Sequence, residues 1–368
     1  MNRTIRACLT WYLGWMAAGA WDDLSLLSDE FDDPGSMQRW RQVWREEGWG
    51  ADQLETWEIN GTHPGRMTMI PHTSTWFRDW RGVLAFQEVD GDFVVTTDVE
   101  VSGRSGSGAP LSTYSLAGIM VRQPGTSVTS PATWSPGGEN YVFLSLGCGD
   151  TPGTFQFEVK TTRNSDSELM LARASSRVRI QVARVGSSFL MLRQEGNGPW
   201  QVHRRYARPD LPARLQVGLT TYTDWPGASA LDPWVHNQTV IEGGNPDLLA
   251  QFEYARYARP QVPAAVAGRD LTHPSQVSDA ELLGFLGANA NVPGGARQAP
   301  GLVVAPGNGE GQVILGISGL ERDRSYRLQR TFDLSQWETM DRWIGADGTR
   351  EVLVDGTAPW TAFRMATP

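Results

Sequence analysis

The sequence predicts an all-β protein of two modules. Three observations carry that expectation: short runs of β-branched and aromatic residues, Gly, Pro, Asn and Asp clusters between them, and almost no helical spacing before residue 275. With 40 Gly and 22 Pro in 368 residues, the chain is too long and too interrupted for one small module, and ~150 residues per domain makes two the natural division. Apolar residues make up 40% and charged residues 20%, enough for packed cores. The net charge is −9 with no basic tail, which argues against a nucleic-acid partner. Lys160 is the only lysine among 32 basic residues, and 16 tryptophans supply material for cores and sugar-stacking surfaces alike.

Residues 1–20 read as a secretory signal: Arg3 and Arg6, a mostly apolar stretch over 7–16, then the small-residue site Ala18-Gly19-Ala20. The stretch is too short to span a bilayer, and no later run reaches ~18 apolar residues, so the expectation is a secreted chain without a membrane span. Cleavage after Ala20 removes Cys8 and leaves Cys148 alone, without an internal disulfide partner.

Residues 21–262 form the larger β module. Its clearest strand is 93–101, with further strands expected at 116–122, 141–146, 155–162, 178–185, 189–193, 215–221 and 251–257. Asp90-Gly91 and Glu195-Gly196-Asn197-Gly198 are hairpin connections. Many short strands at this spacing indicate an antiparallel sandwich or barrel. Residues 263–300 are rich in Ala, Gly and Pro and read as a linker, interrupted by the capping box Ser278-Asp279-Ala280-Glu281 that opens a short helix. Residues 301–368 make a small β module with strands at 313–317, 326–330 and 351–354.

An ordered set of segments resembles the concanavalin A-like lectin/glucanase superfamily, in a secreted bacterial branch. They are Asp29-Glu30-Phe31-Asp32-Asp33, Trp57-Glu58-Ile59-Asn60-Gly61, the run 87–101, Ala117-Gly118-Ile119-Met120-Val121-Arg122 and Gln251-Phe252-Glu253-Tyr254. The resemblance implies a jelly-roll sandwich of two curved antiparallel sheets with ligand across the concave one. Tyr326-Arg327-Leu328-Gln329-Arg330-Thr331-Phe332-Asp333-Leu334-Ser335-Gln336-Trp337, followed by Ala362-Phe363-Arg364, resembles a terminal β module of secreted bacterial proteins, which implies surface or matrix attachment.

Retaining glucanases of the superfamily carry E-x-D-x-x-E on one strand, since retention needs two carboxylates ~5 Å apart. The motif is missing here. Its nearest substitute, Glu88-x-Asp90-x-Asp92, straddles the Asp90-Gly91 turn and belongs on solvent. Glu158 and Lys160 share one face of a strand whose other face carries Phe157 and Val159, so the polar pair is expected on a ligand-facing sheet surface. The loop from Trp134 to Glu139, Asn140 and Tyr141 and the segment Tyr222-Thr223-Asp224-Trp225 combine stacking rings with hydrogen-bonding groups, and Trp76-Phe77-Arg78-Asp79-Trp80 has the same mixture. Arg122 completes the candidate ligand-binding set. The five histidines show no zinc spacing. His203-Arg204-Arg205-Tyr206 holds the residue types of a polysaccharide lyase, but alternation would point neighbours to opposite faces. Asp32 and Asp33 suit a structural calcium ion, and no other cofactor is expected. The expected function is recognition of a polysaccharide on the concave sheet and rim loops. A glycoside hydrolase or polysaccharide lyase with a non-standard site and a structural or adhesion protein stand as alternatives.

Overall fold

The computed structural model describes residues 22–290, 301–306, 312–320, 325–331, 338–344, 348–355 and 362–366. The signal at 1–20, the end of the expected linker and the Phe332–Trp337 part of the tail motif lie outside the described residues. The chain divides into two units between residues 293 and 294.

The first unit holds fifteen described strands. In chain order they are β1 (Arg41–Gln42), β2 (Leu54–Ile59), β3 (Met67–Pro71), β4 (Val83–Asp90) and β5 (Phe93–Ser102). Next come β6 (Ser115–Arg122), β7 (Tyr141–Cys148), β8 (Gln156–Arg163), β9 (Asp166–Arg173) and β10 (Arg177–Val185). The last are β11 (Ser188–Glu195), β12 (Gln201–Ala207), β13 (Arg214–Tyr222), β14 (Leu249–Phe252) and β15 (Arg256–Ala258). One sheet has the order β1-β4-β13-β6-β7-β8-β9, and the other the order β12-β11-β10-β5-β14-β3-β2, with β15 also on β5. All these ladders are antiparallel. The fold is therefore the all-β, two-sheet jelly-roll sandwich that the resemblance implied.

Strands that the hydrophobic pattern marks lie inside the sheets. Those it misses are β3 and β4, each next to an edge strand, and the four strands that end the two sheets, β1, β2, β9 and β12, of which β9 alternates exposed with half-buried residues. The expected strand 251–257 breaks in two: β14 and β15 both pair with β5, while Ala255 turns away to bridge Asp29.

The core between the sheets follows from period-two alternation. Ala117, Ile119 and Val121 of β6, Val142 and Leu144 of β7, Phe157 and Val159 of β8, and Val217 and Leu219 of β13 face Val95, Val99, Ile180, Val182, Met191 and Phe252. Each of these side chains larger than alanine contributes ~1.5–3 kcal/mol on burial.

The segment expected to be a linker is instead a packed cover up to residue 290. Val266, Leu271, Val277, Leu282, Phe285 and Leu286 close over Val94, Ala183, Leu190 and Leu192 on the outer face of the eight-stranded sheet. Within this cover the Ser278–Glu281 capping box starts a short helix as expected, spanning Asp279–Leu283, and the Arg205 guanidinium donates to the carbonyls of Leu271 and Val277. Gly287 has φ +65°, and a Cβ there would lie 2.9 Å from the Trp200 ring, so only glycine fits the docking point.

The second unit has six described strands, β16 (Gly301–Pro306), β17 (Gln312–Leu320), β18 (Ser325–Thr331), β19 (Glu338–Ile344), β20 (Gly348–Asp355) and β21 (Ala362–Ala366). They form two antiparallel sheets, β16-β17-β20 and β19-β18-β21, so the tail motif supplies two neighbouring strands of one sheet. Leu315, Ile317 and Leu328 are buried.

Candidate functional site

The outer face of the seven-stranded sheet does not offer the expected open polar row. Phe86, Met120, Tyr141, Phe143 and Tyr222 pack there with Val43 and Trp76 as a second apolar cluster. Trp76 arrives from the segment before β4 and is fully buried, its indole N–H donating to the Val83 carbonyl at 2.9 Å. Gly82 permits the close return of this strap, since a Cβ at 82 would lie 2.9 Å from the Trp76 ring.

Arg122 and Glu139, both read as ligand-binding from the sequence, belong to a buried ionic cluster with Arg81 and Glu47. All four are 8% exposed or less. Arg122 donates Nε to Glu139 at 2.7 Å, Nη1 to Gln216 at 2.7 Å and Nη2 to Glu47 at 3.2 Å. Arg81 donates Nε to Glu139 at 2.6 Å, lies 3.1 Å from Glu47, and stacks 4.0 Å from the Trp49 ring. The two guanidinium groups hold the Glu139 carboxyl down at about 2 against the desolvation that opposes them. Arg81 Nη1 makes no hydrogen bond and meets Glu47 only as an ion pair; the buried cluster ties α1 (Val43–Glu47) and two loops to β6.

Glu158 and Lys160 do share a face, but it is an interior one, at 0% and 1% exposure. Their separation of 2.7 Å makes a buried ion pair. Lys160 also donates to the Trp76 carbonyl at 2.7 Å, and Glu158 accepts from the Tyr222 hydroxyl at 3.3 Å. The ammonium lies 4.8–5.6 Å from the ring centroids of Phe77, Phe143 and Tyr222. Burial lowers the Lys160 ammonium pKa, and the Glu158 carboxylate opposes that shift.

Lys160 nevertheless reaches an opening. A cavity of about 290 Å³ is lined by Thr75, Phe77, Tyr114, Lys160, Leu169 and Trp225. Trp225 is its hub, with ring centroids 5.2 Å from Phe77, 6.0 Å from Trp80 and 6.3 Å from Tyr114, all edge-on. Asp224 sets the hub in place. It adopts a left-handed φ of +67°, caps α2 (Trp225–Ala228) at the Gly227 N–H, and accepts from the Thr73 hydroxyl at 2.8 Å and the Asn245 N–H at 2.6 Å. The Trp225 N–H itself donates to the Thr113 carbonyl at 3.1 Å. An ammonium has three donors; one of Lys160's is met by the Trp76 carbonyl, and Glu158 Oε1 faces the ammonium as an ion pair without a hydrogen bond. The site thus combines an aromatic wall, the hydroxyls of Thr75 and Tyr114, and one cation.

The remaining sequence candidates lie elsewhere. Trp134 is half-buried in a separate cluster, 6.1 Å from Trp49 and 5.7 Å from Trp234. Asn140 is buried and exchanges hydrogen bonds with Asn164 across the β8–β9 turn. Tyr141 is fully buried, and burial raises its phenol pKa. The structure therefore brings Lys160, Trp225, Tyr222 and Glu158 together and separates Trp134, Glu139, Asn140 and Arg122 from them, while Tyr141 packs in the same cluster as Tyr222 without lining the cavity. Tyr114 and Leu169 join the site without a local signal in the sequence. At the expected calcium site, the Asp33 side chain accepts from the Gly35 N–H at 2.8 Å and the Asp32 carbonyl accepts from Asn60. Among the described residues no three His, Cys, Asp or Glu side chains gather as a metal site.

His203 interrupts the alternation expected of β12. Arg204 pairs with Met191 and Val202 with Leu192, leaving His203 as the extra residue of a β-bulge. Its ring lies 5.5 Å from Phe157, and burial, with Arg193 and Arg204 nearby, holds its pKa at about 4. Because the folded value is below the unfolded value near 6.5, protons favour the unfolded chain in this window. Stability is full above pH 6.5 and falls by about 3 kcal/mol by pH 4 from this residue. His203→Gln is expected to flatten that part of the pH dependence in denaturant titrations at pH 7, 5.5 and 4.5, while His236, also lowered by burial, retains its own share.

No family model matches the chain, and no curated protein matches it. Among solved structures it is similar to a functionally unknown protein from Saccharomyces cerevisiae, at 14% identity and a TM-score of 0.41, over 61% of this chain and 98% of that one. A legume lectin-like domain from Entamoeba histolytica matches at 6% identity and 0.38, over 62% and 93%. A β-1,3-1,4-glucanase (lichenase) from a mouse hindgut metagenome matches at 12% identity and 0.35, over 63% and 98%. No helix among the described residues is long and apolar enough to cross a membrane.

Proposed function

We propose that this protein binds a glycan, without cleaving it, in the aromatic cavity above Lys160. The cavity itself carries the reading: three aromatic residues wall a space of about 290 Å³ whose lining also holds the Lys160 ammonium and the Thr75 hydroxyl. Sugar rings offer C–H faces to aromatic rings and hydroxyls to such donors. None of the residues lining the cavity is a carboxylate. Glu158, behind Lys160, is committed to the ion pair and to Tyr222. That supports retention over cleavage, because glycoside hydrolysis calls on a pair of carboxyl groups flanking the bond.

Trp225→Ala is expected to weaken glycan binding about thirtyfold, the ~2 kcal/mol of a central aromatic anchor. Trp134→Ala, in the separate cluster, is expected to leave affinity within about twofold. Titration followed by tryptophan fluorescence checks both. Equal losses in the two variants would place the binding surface elsewhere.

A further inference from the structure

The shape and charge of the cavity narrow the ligand further, and this step rests on the glycan reading above. Charge is considered first. The only ionised group on the lining is Lys160, and its charge is cancelled by Glu158 at 2.7 Å. The other lining residues, Thr75, Phe77, Tyr114, Leu169 and Trp225, are neutral. On the lining itself the carboxylate of an acidic sugar or a sulfate group would be desolvated with no uncommitted cation to meet it, while the buried Glu158 would repel it; Arg78, outside the lining, is exposed and lies 5.4 Å from the Phe77 ring. Hydroxyl groups bear no such cost.

Extent follows from what surrounds the cavity. A volume of about 290 Å³ lies at the small end of the ~300–1,000 Å³ usual for ligand pockets, room for one or two sugar rings. Along the same sheet face the way is filled by the Trp76, Tyr141 and Phe143 cluster and then by the Arg81–Arg122–Glu47–Glu139 cluster, all buried. On the other sheet the segment up to residue 290 covers the outer face of β5, β10 and β11. The cavity is therefore bounded by packed side chains along its own sheet face, and its volume accepts a short terminal piece.

We infer that the site recognises the neutral sugar at the end of a glycan chain, not an internal stretch and not an acidic sugar. The test uses the full chain and competition between paired probes: glucose and galactose methyl glycosides against glucuronate and galacturonate, and neutral oligosaccharides of two to six rings. The expected result is that neutral probes compete about tenfold or more better than their acidic partners, and that molar affinity stops rising beyond two rings. Leu169→Arg, on the half-exposed edge strand β9, is expected to add a cation at the rim and bring the acidic probes to within about threefold of the neutral ones. Acidic probes binding wild-type protein as well as neutral ones, or affinity climbing steadily to six rings, would overturn this inference and leave glycan binding standing. No competition by any probe, acidic or neutral, would overturn the glycan reading itself.

Discussion

Arg122→Ala is expected to destabilise the sandwich by about 3–5 kcal/mol, the cost of removing one partner from a buried charge cluster. The side chain is 1% exposed and serves Glu47, Glu139 and Gln216 at once. Its loss leaves the two carboxylates with Arg81 as their only cation in the cluster. Its removal also opens a cavity beneath Trp76, whose ring lies 5.6 Å from the guanidinium. Arg122→Lys keeps the charge but not the fork that reaches both carboxylates, so it is expected to recover only part of the loss. The pH dependence has a definite sign. The Glu139 pKa is depressed to about 2, so its contribution is present above its unfolded value near 4.5 and disappears as the pH falls toward 2. Arg122→Ala should shrink that acid transition. Equilibrium denaturation of wild type and both variants between pH 7 and 3 measures these effects, and an unchanged midpoint in Arg122→Ala would show that the cluster is not a structural tie.

Glu158→Gln and Lys160→Met are each expected to cost about 3–5 kcal/mol alone, because each strands the other buried charge. The double substitution removes both charges at similar volume and is expected to fall within about 1–2 kcal/mol of wild type. The pair is therefore a place where stability and binding separate. The double variant should fold nearly normally yet bind glycan about tenfold more weakly, having lost the Lys160 donor on the cavity lining. Denaturation midpoints give the first quantity and fluorescence titration the second. A double variant with wild-type affinity would remove Lys160 from the binding site.

The all-β class, most interior strands and the shared face of Glu158 and Lys160 were legible in the sequence, because each depends on local alternation. What alternation cannot show is what lies on top of a face. Residues 156–162 read the same whether their polar side meets water or a tryptophan, and Trp76, which closes that side, is more than eighty residues earlier in the chain. The same blindness made residues 263–290 look like a connector. Their apolar residues are sparse, and only the matching outer face of β5, β10 and β11 reveals Val266, Leu271 and Phe285 as a cover. Trp225 carried a local signal in Tyr222-Thr223-Asp224-Trp225. Tyr114 and Leu169 did not, since they reach it only through the pairing of β6 to β13 and of β8 to β9. Arg122 and Glu139 show how polar residues mislead: their types suit sugar hydroxyls, and three-dimensional pairing consumes them.

The most direct test of the account is calorimetric titration of the full chain with soluble neutral glycans, in parallel with Trp225→Ala. Heat that saturates and then ceases, and is lost in the variant, is the predicted result. Sustained heat would mean turnover, and silence across the neutral glycans would mean that the aromatic cavity above Lys160 does not bind sugar; either would contradict the account.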